Sequence, residues 1–245
     1  FAGWATEANG AVVYADGAIL EMSNADVTLT AKWTANTYTV SFASVTLANS
    51  SVNNMPAKSV TMTFDGAVTE TVGAVPTAKG YTFAGWYTSA TAGSLLATAD
   101  GTFVDLASYI IDGKWVRAEN VTVYTRFTEN KYNVSISSNG GLFTEANGWT
   151  IADDDKLTAT KENILYTAEI GTLPVAERTG YTFVAYVDLN GEVVLETSTC
   201  LSSDNGDVVA LTATWTAKEY VVSLNANGGL CDTASVSVKF DKAFA

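Results

Sequence analysis

The chain contains no histidine. That removes imidazole general acid/base chemistry, Ser–His triads and histidine metal sites together. Cysteine is nearly absent too: Cys200 and Cys231 are too few for a disulfide framework or a thiolate metal site. A single bridge between them and two free, inert thiols both remain open. Only 13 Lys and Arg stand against 26 Asp and Glu, for a net charge of −13. A chain so poor in cations is not built to bind nucleic acid or an anionic membrane, since phosphate binding needs clustered positive charge. No apolar run approaches the roughly 18–20 residues of a membrane helix. The longest, Tyr109-Ile110-Ile111 and Val193-Val194-Leu195, are strand-sized. The chain opens at Phe1 without a charged and then apolar leader, so no signal peptide is visible. Either a leader was removed or this is an interior piece of something longer.

What the sequence does have is repetition. Gly80-Tyr81-Thr82-Phe83-Ala84-Gly85-Trp86 returns as Gly180-Tyr181-Thr182-Phe183-Val184-Ala185-Tyr186, and in part as Phe1-Ala2-Gly3-Trp4. A second block, Leu29 to Phe42, recurs as Val123 to Ile136 and as Leu211 to Leu224. Tyr38 lies 94 residues before Tyr132, and Tyr132 lies 88 before Tyr220. Phe1 to Trp33 and Phe183 to Trp215 each span 32 residues while Phe83 to Phe127 spans 44, so the middle copy carries an extra 12 residues, near 97–120. By contrast, the step from Trp33 to Tyr38, Phe127 to Tyr132 and Trp215 to Tyr220 is five residues each time, without Gly or Pro. A constant junction beside variable loops predicts that neighbouring repeats meet in one fixed geometry.

The periodicity is that of strands. Val121, Val123, Thr125 and Phe127, like Val209, Leu211, Ala213 and Trp215, alternate with outward residues. Tyr38-Val40-Phe42 and Val60-Met62-Phe64 do the same. Asn139-Gly140 and Asn227-Gly228 are turn signals. Helix is confined to a turn or two at Asp105–Asp112 and Thr167–Gly171.

Candidate chemistry is sparse. Asp153-Asp154-Asp155 and Asp204 to Asp207 lack the spacing of a calcium loop and read as turn formers. Glu192 and Glu196 could pair as acid and base, but the other repeats do not keep them. Gly-x-Ser-x-Gly, P-loop and Gly-x-Gly-x-x-Gly patterns are all missing. Lys32 aligns with Arg126 and Thr214, which argues against a repeat-wide isopeptide bond. No catalytic, cofactor or metal residue is therefore assigned, no cofactor is expected, and partner-binding residues stay unknown. Phe1, Phe83 and Phe183 are expected in the core. Trp4, Trp86 and Tyr186 follow each by three, an odd spacing that puts the two on opposite strand faces. One of each pair is then an exposed platform, unless a bulge buries both.

The ordered run of Tyr220 to Gly229, a strand ending in Phe240-Asp241, Gly171-x-x-Pro174, Gly80 to Trp86 and Leu211-x-Ala-x-Trp215-Thr216 resembles the Listeria–Bacteroides repeat, the B-repeat type of internalin surface proteins. The resemblance divides the chain into 1–35, the C-terminal part of a truncated repeat; 36–129, a complete repeat with the insertion; 130–217, a second complete repeat; and 218–245, the N-terminal part of another. It implies a mainly β fold of tandem β-grasp-like modules, each a mixed four-stranded sheet with little helix. It also implies a structural extracellular array, a stalk or spacer of a bacterial surface adhesin or surface fibre. Its partners would be neighbouring repeats and other copies in a fibre, with no nucleic acid and no membrane span. An adhesive module for a host protein or glycan, using exposed aromatics and the insertion, is the alternative. The ragged ends predict an interior piece of a longer array, or else completion of one chain's end by strand addition from the next.

Overall fold

A computed structural model describes residues 1–152 and 154–243. These form strands and turns with no helix, and they group into two compact units. One comprises Phe1–Val45, Asn54–Pro76 and Phe83–Arg126; the other comprises Thr46–Asn53, Thr77–Thr82 and Phe127–Ala245.

In the first unit, β1 (Gly3–Ala5) pairs antiparallel with β2 (Thr30–Lys32). A five-stranded sheet follows, from β3 (Thr37–Ala43), β4 (Val60–Thr63), β5 (Tyr81–Tyr87) and β6 (Leu95–Ala97). A small hairpin, β7 (Ile110–Ile111) and β8 (Lys114–Trp115), precedes β9 (Val121–Glu129), and the sheet order is β4-β3-β9-β5-β6, with residues 81–82 of β5 and 127–129 of β9 counted in the second unit. β3 runs parallel to β9, with Val40 opposite Val121, and antiparallel to β4, with Val40 opposite Val60. The inward set Val40, Met62, Trp86, Leu96 and Val123 makes the core.

The second unit repeats the plan. Its strands are β10 (Lys131–Ser137), β11 (Leu142–Glu145), β12 (Thr150–Ile151), β13 (Thr158–Leu165) and β14 (Val175–Glu177). Then come β15 (Tyr181–Val187), β16 (Val193–Val194), β17 (Val208–Ala217), β18 (Glu219–Ser223) and β19 (Ser235–Lys239). The main sheet is β12-β13-β10-β17-β15-β16, and β18-β19 form a separate hairpin. Tyr132, Val134, Ile136, Ala159, Leu211 and Ala213 pack its core with Phe143, Trp149 and Ile170.

The mainly β expectation holds. The mixed four-stranded sheet is present in both units, as β4-β3-β9-β5 and as β13-β10-β17-β15, and short edge strands widen it to five and six. This order is compatible with a β-grasp sheet. At Asp105–Asp112 a single turn forms, with the Tyr109 and Ile110 amides both donating to the Leu106 carbonyl at 2.9 Å, and no helix follows there or at Thr167–Gly171. Asp112 (φ 50°) and Gly113 (φ 70°) instead make the tight reversal between β7 and β8. At Thr167–Gly171 the amides of Ile170 and Gly171 are taken by the carbonyls of Ser198 and Glu196, at 2.9 Å each. Among the described residues no helix is long and apolar enough to cross a membrane.

Candidate functional site

Three aromatic pairs mark the same point in three copies. Phe183 and Tyr186 have ring centroids 4.8 Å apart, Phe83 and Trp86 are at 5.4 Å, and Phe1 and Trp4 are at 5.1 Å. A regular strand would point residues i and i+3 to opposite faces. In β15 the ladder against β17 slips between Phe183 and Ala185, and this bulge turns Tyr186 onto the side of Phe183. In the other two copies the corresponding residue is Gly3 or Gly85, at φ +137° and +124°. A Cβ on Gly85 would stand 2.7 Å from the Ala97 carbonyl oxygen, so glycine is the residue that fits there.

The two rings of a pair are not equally buried. Trp86 is fully buried and Tyr186 is 3% exposed. Phe183 is 39% exposed and Phe1 47%, while Phe83 is half-buried against the core. The expectation that Phe1 and Phe183 are core residues is thus corrected, while Phe83 packs against the core. Trp86 and Tyr186 take the core positions and leave the phenylalanine at the rim, and Trp4 is half-buried.

Beside this rim the second unit carries an apolar groove of about 380 Å³. Leu173, Pro174 and Val175 line one side; Phe183, Val184, Val193 and Leu195 line the other. Val184, Val193 and Leu195 are each more than half exposed. Its floor is Tyr186, whose hydroxyl donates to the Pro174 carbonyl at 2.7 Å. Burial pushes the Tyr186 phenol up to about 12, so it is a fixed donor and not a proton shuttle. A second, more polar cleft of about 630 Å³ is lined by Arg178, Lys218, Tyr181 and Trp215. There the Arg178 guanidinium stacks 3.9 Å from the centre of the Tyr181 ring. Sequence reasoning did not find the groove. The one available signal was that Val193-Val194-Leu195 is apolar at both strand parities, so one parity must face outward.

The insertion contributes to the first unit's core. Ile110 is 2% exposed and Trp115 fully buried, both inside the first unit's core, and the Trp115 indole N–H donates to the Arg117 carbonyl at 2.7 Å. Acidic side chains, Asp188 and several of the candidates named from the sequence, are engaged in turns and loops. Asp188 accepts the amides of Asn190 and Glu192 at 2.8 and 2.9 Å, and these bonds hold its carboxyl below the usual range. Asp155 accepts the Leu157 amide and Asp207 accepts the Ser202 hydroxyl, while Asp153 lies outside the described residues. Glu196 accepts the Leu173 amide at 3.2 Å, a loop contact. Among the described residues no three metal-ligating side chains come together. Cys200 and Cys231 are both free thiols.

The arrangement buries aromatic and aliphatic surface in both units. A protein of Evansella cellulosilytica, provisionally named a membrane protein, is 29% identical over 203 residues, 83% of this chain and 24% of its own length. A second from the same organism, provisionally named a Gly-rich membrane protein, is 28% identical over 230 residues, 94% of this chain and 22% of its own. The chain thus spans about a quarter of the length of these relatives. No solved structure matches. Residues 1–32 and 38–106 match the model of the Listeria-Bacteroides repeat domain, and the same motifs recur in register through Trp215, so the chain is similar to the Listeria-Bacteroides repeat family.

Proposed function

We propose that this chain is a structural segment of an extracellular repeat array, a stalk or spacer within a bacterial surface adhesin or surface fibre, without enzymatic activity. One observation carries the reading. The order β4-β3-β9-β5 is rebuilt as β13-β10-β17-β15 with the apolar inward set retained, while the polar loop residues differ. A catalytic site needs particular polar groups held in place; a spacer needs only the fold. The names of the relatives support a surface location. The test is protease shaving of intact cells expressing the full-length protein. Peptides from this chain are released if it is displayed outside, and their retention until lysis contradicts the reading.

A second reading, an adhesive module, is favoured by the groove between Leu173–Val175 and Val193–Leu195. Its lining offers few polar groups, which suits an apolar polypeptide segment of a host protein better than a glycan. Val184→Asp places a charge in the groove without touching the core. Host-cell adhesion that drops with this variant supports the adhesive reading, and unchanged adhesion leaves the spacer alone.

A further inference from the structure

Where one repeat ends and the next begins, a single residue separates the strands: Asn130 between β9 and β10, and Lys218 between β17 and β18. Each is bonded on both sides. The Asn130 amide donates to the Gly80 carbonyl at 2.9 Å, and the Asn130 carbonyl accepts the Tyr166 amide at 2.9 Å. The Lys218 amide donates to the Gly180 carbonyl at 2.9 Å, and its carbonyl accepts the Phe240 amide at 2.9 Å. All six residues lie within the second compact unit. Gly80 and Gly180 open the Gly-Tyr-Thr-Phe strand of one repeat; Tyr166 and Phe240 close the first hairpin of the repeat that follows.

The side chains repeat the pattern. Gly80 sits at φ +76° and Gly180 at +78°. Each lies against an aromatic ring: a Cβ on Gly80 would stand 2.1 Å from the nearest Tyr166 ring carbon, and one on Gly180 2.3 Å from the nearest Phe240 ring carbon, both closer than a side chain tolerates. The next residue closes over the same ring edge-on. Tyr81 meets Tyr166 at 6.0 Å and 73°, and Tyr181 meets Phe240 at 5.6 Å and 78°. The Tyr81 hydroxyl then donates to the Ala48 carbonyl, and the Tyr181 hydroxyl to the Asp241 carboxylate at 2.8 Å. The receiving hairpin exists a third time: the Phe64 amide donates to the Asn36 carbonyl at 2.9 Å. Phe64 is 38% exposed, against 2% for Tyr166 under its glycine.

We propose that the Gly-Tyr turn is a docking site for the next repeat: the glycine is a bare seat for the hairpin-closing aromatic, the tyrosine clamps that ring, and the single linker residue wires both backbones together. The three elements meet at the five-residue junction that runs from Phe127 to Tyr132 and from Trp215 to Tyr220. They account for a junction length that stays constant while loops elsewhere vary by about 12 residues. They also set a matching rule, in which any repeat whose first hairpin closes with Phe or Tyr can follow any repeat that carries Gly-Tyr. The inference rests on geometry and holds whether or not the array is a surface stalk.

Hydrogen exchange on the whole 245-residue chain tests it. Gly180→Ala is expected to speed exchange at Lys218 and Phe240 by about tenfold or more, with Val134 and Leu211 unchanged. Phe240→Ala should do the same and Phe240→Tyr should not, since Tyr166 fills that place in the preceding junction; this pair decides the matter if Gly180→Ala fails to fold. Unchanged protection at Lys218 and Phe240 in Phe240→Ala overturns the proposal. So does a loss of protection there that always comes together with Leu211, which would make the glycine a requirement of the fold and not of docking.

Discussion

Phe183 and Tyr186 stand three residues apart in one strand, yet their rings face each other at 4.8 Å, because the ladder to β17 slips between Phe183 and Ala185. This local departure from period two lets a short strand present two aromatics to the same side. It divides their work: Tyr186 fills the core and Phe183 caps it.

That division sets the stability scale. Trp86→Ala, at a fully buried site, is expected to cost about 3–5 kcal/mol. Phe183→Ala, at a residue 39% exposed, should cost about 1–2 kcal/mol, since much of its surface already meets water. Denaturant titration of the whole chain, following each variant's own unit by its tryptophan emission, gives both numbers. Equal losses would mean that Phe183 is as much a core residue as Trp86 and would contradict the division.

The insertion earns its place through Trp115, which closes the first unit's core with Ile110 while Asp65 and Gly66 bond its backbone at 2.8 and 3.1 Å. Trp115→Ala should cost about 3–5 kcal/mol. Ile111→Ala, on the exposed side of the same hairpin, should change stability by less than about 1 kcal/mol. Thermal unfolding of the two variants checks this, and tolerance of Trp115→Ala would return the insertion to the status of a surface loop.

Tyr186 predicts an alkaline limb. Its folded pKa of about 12 lies above the ordinary 10.0, so the folded state holds a proton that the unfolded chain has lost between these values. Stability from this group is fully present below about pH 10 and is lost as pH rises towards 12. Burial raises Tyr132 and Tyr166 as well, which steepens the fall. Denaturant midpoints from neutral to alkaline pH should be flat and then drop, and Tyr186→Phe should flatten part of that drop. A slope that begins below pH 9 would point to other groups.

Much of this was legible in the sequence. The strand alternation of Val121 to Phe127 and of Val209 to Trp215, the repeated Gly-Tyr-Thr-Phe block and the fixed five-residue junction all reflect local pattern, which a sequence carries openly. The unread parts depend on tertiary context. Alternation does not tell that Phe183 would sit at a rim and Tyr186 beneath it, because a bulge shifts the facing by one residue. It does not tell that Trp115 turns inward, because an insertion present once has no second copy to reveal its pattern. The groove stayed hidden because exposed Val184, Val193 and Leu195 are chemically the same as buried neighbours such as Val194.

The spacer reading is tested most directly by excising residues 130–217, which joins Glu129 to Lys218 in the register of the natural junction. With the full-length protein on intact cells, the distance from the envelope to a tag at its accessible end is measured by single-molecule force extension. The account predicts a shorter reach with the same surface amount and undiminished adhesion. An unchanged reach, or a loss of adhesion at unchanged reach, would contradict it.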